Sequence, residues 1–160
     1  MNDKITFIYK QHVKTVYRIT LMMLKSVPDA EDAVQSVFIN LMTADKDFES
    51  DEHIKAWLIV TAQNVCKNML KSSWNSRRDD YDRIEEQPYL PEESTKEIWN
   101  SITSLDEKYR LPLYLYYYEG YKTEEIAKML KTNHATVRTR LKTARNKLKR
   151  LLEEMEEQII

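Results

Sequence analysis

Glycine is nearly absent: the 160-residue chain has one, alongside four prolines and one cysteine. Tight β-hairpins and glycine-rich phosphate loops need residues that tolerate positive φ or close backbone approach, so both are excluded as recurring elements. The lone Cys66 cannot close an internal disulfide, and in its apolar helical surroundings it reads as a small buried hydrophobe. No apolar run reaches the roughly 18 residues of a membrane span. Residues Met1 to Lys10 mix Asp3, Lys4 and Tyr9 with apolar side chains, which is no signal-peptide pattern. A cytosolic protein is expected. His12, His53 and His134 share no metal-ligand spacing with Cys66 or with paired carboxylates, and no nucleophile motif is present. Neither metal, cofactor nor enzymatic activity is expected.

What the chain does contain is 42% hydrophobic and 32% charged residues, the balance of a folded globular protein. With so little turn chemistry, that balance predicts an all-α fold. The net charge of −1 hides a strong segregation. Between Ile54 and Arg78 the ionised residues are Lys55, Lys67, Lys71, Arg77 and Arg78, with no acid. Ile126 to Leu152 carries nine Lys/Arg and again no acid, while Asp79 to Glu97 between them holds eight acids against Arg83 and Lys96. Local charge decides where phosphates bind, so two basic surfaces separated by an acidic strap suit nucleic acid despite the near-neutral total.

The strap has RIEEQPYLPEES at its centre, with Pro88 and Pro91 and little apolar periodicity. It predicts two helical domains, residues 1–78 and 98–160, joined by an acidic linker over 79–97. Each piece is near the lower size limit for independent folding, roughly 60 to 70 residues.

In the first domain, Ile5 to Leu24 shows an imperfect apolar stripe of Ile5, Ile8, Val13, Val16, Tyr17 and Leu24. Pro28-Asp29 restarts the chain, with Asp29 as the expected N-cap of a second helix. There Ala30, Ala33, Val34, Val37, Phe38 and Leu41 recur at spacings of three and four, a core stripe. Asp32, Gln35, Ser36 and Ile39 face away from it, either as ordinary solvated surface or as a partner-binding face. A third helix, Ile54 to about Ser73, is expected to bury Ile54, Trp57, Leu58, Thr61, Ala62, Val65 and Met69. Another edge carries Asn64, Lys67, Lys71, Trp74 and Arg78, again three or four apart. The bland reading is a solvated basic face; the functional one is phosphate neutralisation with Trp74 available for base stacking.

The second domain holds the strongest local signal, TEEIAKML (Thr123 to Leu130), a short connection, then NHATVRTRLKTAR (Asn133 to Arg145). The first helix packs through Ile126, Ala127 and Leu130, with small Ala127 permitting a close crossing. Asn133 is a good N-cap for the second helix, which buries Val137, Leu141, Ala144 and Leu148. It presents Arg138, Thr139, Lys142 and Asn146, flanked by Arg140, Arg145 and Lys149. This is a helix-turn-helix whose second helix suits the major groove, with exposed side chains for base edges and cations for phosphates. The pattern does not separate a repressor from a polymerase subunit.

Segment order does. DAEDAVQSVF (Asp29 to Phe38), HIKAWLIVTAQNVCKNMLK (His53 to Lys71) and the long run from Leu105 to Leu152 resemble, in that order, three segments of bacterial RNA polymerase sigma factors. They are the core-polymerase-binding helix, the promoter-melting helix and the upstream-element reader, and the likeness covers nearly the whole chain. Its length and missing segments are similar to the extracytoplasmic-function (ECF) class. The resemblance implies that Asp32, Gln35, Ser36 and Ile39 grip the polymerase's largest subunit. It places the loop Phe48 to His53 as the element capturing a flipped-out downstream base. Asn64, Lys67, Asn68, Lys71 and Trp74 fall on the downstream-element and melting face, and Arg138, Thr139, Arg140, Lys142 and Arg145 on the upstream-element reader. It implies core RNA polymerase, duplex and melted promoter DNA and an anti-sigma factor, possible at the membrane, as partners of a stress-response regulator that itself enters no membrane. Departures are Lys131 and Ala135 where glycine is usual, Lys122 where a Ser/Thr cap is common (Thr123 then being the expected cap), and Gln63 at a frequently basic position. The competing reading is a free-standing helix-turn-helix repressor or activator that binds duplex DNA without polymerase. The tyrosines Tyr114, Tyr116, Tyr117, Tyr118 and Tyr121 are expected to pack in and on the domain.

Overall fold

A computed structural model describes residues 3–72 and 96–159. Among these are seven helices and no strand, so the all-α expectation holds. They are α1 (Asp3–Leu24), α2 (Val27–Thr43), α3 (Asp51–Ser72), α4 (Lys96–Thr103), α5 (Glu107–Tyr117), α6 (Thr123–Met129) and α7 (His134–Ile159). The chain divides into two compact units, residues 1–90 and 91–160. Of the expected linker, residues 79–95 lie outside the described residues, and Lys96 and Glu97 already belong to α4.

The first unit is a three-helix core. Helix α1 is its centre, with Ile19 through Leu24 buried on every side of the helix, so its stripe broadens toward the C-terminus instead of staying on one face. Buried Thr20 satisfies its hydroxyl on the Tyr17 carbonyl at 3.0 Å and reaches the Ala30 carbonyl of α2 at 3.3 Å. The rings of Tyr9 and Phe38 meet edge to face at 4.9 Å, closing the α1–α2 seam. Lys25 adopts a left-handed φ of 55° and donates its N–H to the Leu21 carbonyl, turning the chain between the two helices.

Helix α2 buries the whole expected stripe, Ala30, Ala33, Val34, Val37, Phe38 and Leu41. Its N-cap, however, is Ser26 and not Asp29: the Ser26 hydroxyl accepts from the Asp29 N–H, and Asp29 sits in the first turn. Pro28 lies within that turn, where a missing N–H costs nothing.

Helix α3 is rotated from expectation. Leu58, Ile59, Ala62, Gln63 and Cys66 are buried, while Ile54, Trp57, Thr61, Val65 and Met69 are only half-covered. Trp57 instead packs its ring edge to face with Phe48, at 5.7 Å between centroids. Buried His12 brings its Nε2 to 3.1 Å from Asp51 Oδ1, pinning α1 to the first turn of α3.

The second unit packs α4, α5 and α6 around α7 through Leu111, Leu113, Leu115, Ile126, Val137, Leu141 and Ala144. Pro112 is inside α5, and Asp106 is that helix's N-cap residue by backbone position. Arg110 is buried in the same helix; its desolvation lowers the guanidinium pKa, with neighbouring Glu107 and Asp106 opposing that push. The chain's sole glycine, Gly120, has φ +81° in the turn between α5 and α6, a conformation that side-chain-bearing residues adopt at a cost. Among the described residues no helix is long and apolar enough to cross a membrane.

Candidate nucleic-acid and partner interfaces

Helix α7 begins at His134 because Asn133 caps it, its Oδ1 accepting from the Thr136 N–H at 2.7 Å. Burying Val137, Leu141 and Ala144 fixes the helix's rotation, and the opposite face is left to solvent. Arg138, Thr139, Lys142, Arg145, Asn146 and Lys149 are exposed there, and Arg140 is half-exposed at the flank. Among the described residues none of Arg138, Arg140, Lys142, Arg145 and Lys149 has a carboxylate partner. Cations left without acids hold their full charge for an external anion.

The turn that sets α7 against α6 is built without glycine. Past α6, Lys131 takes φ 54°, its N–H donating to the Lys128 carbonyl while Thr132 N–H donates to the Ala127 carbonyl at 3.0 Å. That pair of bonds is a Schellman motif, which ordinarily favours glycine at the left-handed position. Contrary to expectation Thr123 is not the cap of α6; it is the first helical residue, and Lys122 is the cap position. Glu125 Oε1 accepts the Lys122 backbone N–H at 2.8 Å, half of a capping box. The Thr123 hydroxyl is thereby released to hydrogen-bond His134 Nε2 across the turn.

In the first unit, Asp32, Gln35, Ser36 and Ile39 are all exposed on one side of α2, Ile39 at 56%. Met42, three residues on and also exposed, extends the apolar part of this face. The loop before α3 is shaped by Phe48, whose ring meets His53 at 5.2 Å as well as Trp57. His53 Nδ1 accepts the Glu49 N–H, and Ser50 caps α3 by accepting the His53 N–H, each at 3.1 Å. Phe48 and His53 are both half-exposed. Asn64, Lys67, Asn68 and Lys71 are exposed along α3, a basic edge whose lysines form no ion pair among the described residues. Trp74 and Arg78 lie outside the described residues.

Two contributors escaped the sequence reading. Tyr117, the last residue of α5, accepts a hydrogen bond on its hydroxyl from Arg145 Nη1 at 3.0 Å. Tyr109 lies beneath Lys147, 5.8 Å from the ring centroid. Neither partner is near in sequence, so helical periodicity carries no signal for them. A groove of about 660 Å³ runs beside α7, lined by Ile102, Leu113, Tyr117, Leu148 and Leu152 together with the charged Arg145, Lys149 and Glu153.

Comparison with known proteins matches both halves. The family model of sigma-70 region 2 fits residues 8–76, and that of sigma-70 region 4 fits residues 95–148. The chain is 24% identical to the ECF RNA polymerase sigma factor SigX of Bacillus subtilis, over 97% of this chain and 89% of that protein. It is 29% identical to the ECF RNA polymerase sigma-E factor of Escherichia coli, over 83% of this chain and 80% of the relative. Among solved structures, the Bartonella quintana sigma factor RpoE, crystallised with the anti-sigma factor NepR, superposes with a TM-score of 0.73 at 20% identity, covering 95% of this chain and 98% of that one. CnrH, solved with the cytosolic domain of CnrY, gives 0.69 at 22% identity, covering 96% and 90%. Region 2, region 4 and relatives that match across both make the chain a member of the ECF class of RNA polymerase sigma factors.

Proposed function

We propose that this sigma factor binds core RNA polymerase through the exposed face of α2, with Asp32, Gln35, Ser36 and Ile39 as the contact residues. Its C-terminal unit reads the upstream promoter element as duplex, with α7 in the major groove. Arg138, Thr139 and Lys142 address base edges while Arg140 and Arg145 hold phosphates. Its N-terminal unit takes the downstream element as melted single strand, the Phe48–His53 loop receiving a flipped base and Asn64, Lys67, Asn68, Lys71 and Trp74 following the strand. The acidic stretch 79–97 joins the two readers. The single observation that carries the reading is the α7 face, a capped, buried-stripe helix whose cations meet no acid among the described residues.

The energetics suit a factor without chemistry of its own. Opening several base pairs costs about 1.4 kcal/mol of stacking per step. Stacking of extruded bases on aromatic side chains returns about 1–3 kcal/mol each, and phosphate contacts add a salt-dependent share. Tethering two weak readers to one polymerase raises their joint affinity, so neither need bind tightly alone. Control by an anti-sigma factor is part of the proposal, supported by the Bartonella quintana relative solved in complex with the anti-sigma factor NepR. The place of action is the cytoplasm, where core polymerase is.

Permanganate footprinting at a mapped start site tests the division of labour. Holoenzyme containing the wild-type chain is expected to make thymines of the downstream element reactive. Replacing Lys67 and Lys71 by alanine reduces that reactivity while upstream protection persists. Loss of both signals together, or of neither, contradicts the assignment.

A further inference from the structure

We propose that Tyr117 is a positioning residue for DNA binding: its hydroxyl holds the Arg145 guanidinium at the flank of α7, aimed outward for a backbone phosphate. The inference rests on the reading that α7 faces duplex DNA. Arg145 lies two turns after Arg138 and so on nearly the same side of the helix, one row nearer to the core. From that row a flexible arginine can fold back over the groove beside Leu148 or reach outward. Tyr117 and Arg145 both line that groove, and the phenol fixes the guanidinium at its rim. Arg145 Nη1–H donates to the Tyr117 oxygen at 3.0 Å, a bond spanning 28 residues of sequence and tying the end of α5 to the middle of α7.

The chemistry of the anchor matters. A carboxylate in that place would neutralise the guanidinium; a phenol is neutral, so it fixes the direction and leaves the charge intact. Arg145 spends one of five N–H donors, and the others remain for a phosphate. Tyr117 is 58% exposed, so the Tyr117–Arg145 pair lies where a phosphate can reach the guanidinium. Its ring is braced edge to face by Tyr116 at 4.8 Å. Holding the side chain before DNA arrives removes part of the ordering cost at binding.

The test uses the full chain and a short mixed-sequence DNA duplex, with affinity followed by fluorescence anisotropy across a potassium chloride series. Y117F is expected to weaken binding roughly fivefold with an unchanged melting temperature, the scale of one hydrogen bond. R145A is expected to lower the salt slope by about one. In the R145A background the further change Y117F should have no effect. An equal loss from Y117F in both backgrounds, or no loss in either, overturns the inference. If R138A weakens binding but R145A does not, the flank fails while the reading of α7 survives. Wild-type binding that is measurable yet independent of salt sinks both.

Discussion

The hydroxyl of Thr123 hydrogen-bonds Nε2 of His134, joining the first residue of α6 to the first residue of α7. One bond therefore links the two starting points of the helix-turn-helix. The Leu130–Asn133 connection ties the other end of α6 to α7, so the crossing is fixed at two places. Replacing Thr123 by valine keeps the shape and removes the hydroxyl. The expected outcome is a loss of about 1 kcal/mol in stability of the C-terminal unit, read by urea denaturation, and weaker binding to an upstream-element duplex. Unchanged stability and affinity together would show that the bond does not hold the motif.

Lys131 occupies a left-handed position that costs a side-chain-bearing residue about 1–2 kcal/mol. Glycine relieves that strain but loosens the unfolded chain by roughly 0.5–1 kcal/mol. Lys131→Gly is therefore expected to raise the denaturation midpoint modestly, by up to about 1 kcal/mol. A destabilised variant would mean the lysine side chain contributes more than its backbone costs.

The cap of α2 is open to the same kind of test. Ser26 is buried and its hydroxyl accepts the Asp29 N–H, so Ser26→Ala should cost about 1 kcal/mol of N-terminal unit stability. Circular dichroism during urea denaturation reads it. No shift in midpoint would return the capping role to another group.

These corrections mark what the sequence could and could not convey. The α2 stripe and, but for half-buried Leu148, the α7 stripe were legible because apolar and polar residues alternate cleanly around each helix, leaving one face for the core. Helix α3 was not, since Ile59, Val60, Cys66 and Leu70 supply a second apolar line beside Trp57, Thr61 and Val65. Periodicity cannot rank two apolar faces; packing against α1, with buried His12 on Asp51, chose the one holding Ile59 and Cys66. At α2 the expected cap was Asp29, and backbone conformation instead selects the extended residue three positions earlier, Ser26 at φ −148° and ψ 122°. The Tyr117–Arg145 bond had no local signal at all, because it joins helices whose relative placement is a tertiary fact.

For the polymerase face, the variant Asp32→Lys with Gln35→Ala changes charge and hydrogen bonding on exposed positions of α2 without touching its buried stripe. Helicity should be unaltered, while capture of core RNA polymerase by the tagged chain falls at least tenfold, the effect of losing about 1.4 kcal/mol or more at an interface. Undiminished capture would move the docking face elsewhere on the unit.

Run-off transcription tests the central claim most directly. Core RNA polymerase with this chain added is expected to start at discrete new positions on genomic DNA of its host, and the R138A, K142A variant should lose those starts while still binding core. Should the wild-type chain yield the same transcripts as core polymerase alone, the assignment of promoter recognition to these two helical units would be contradicted.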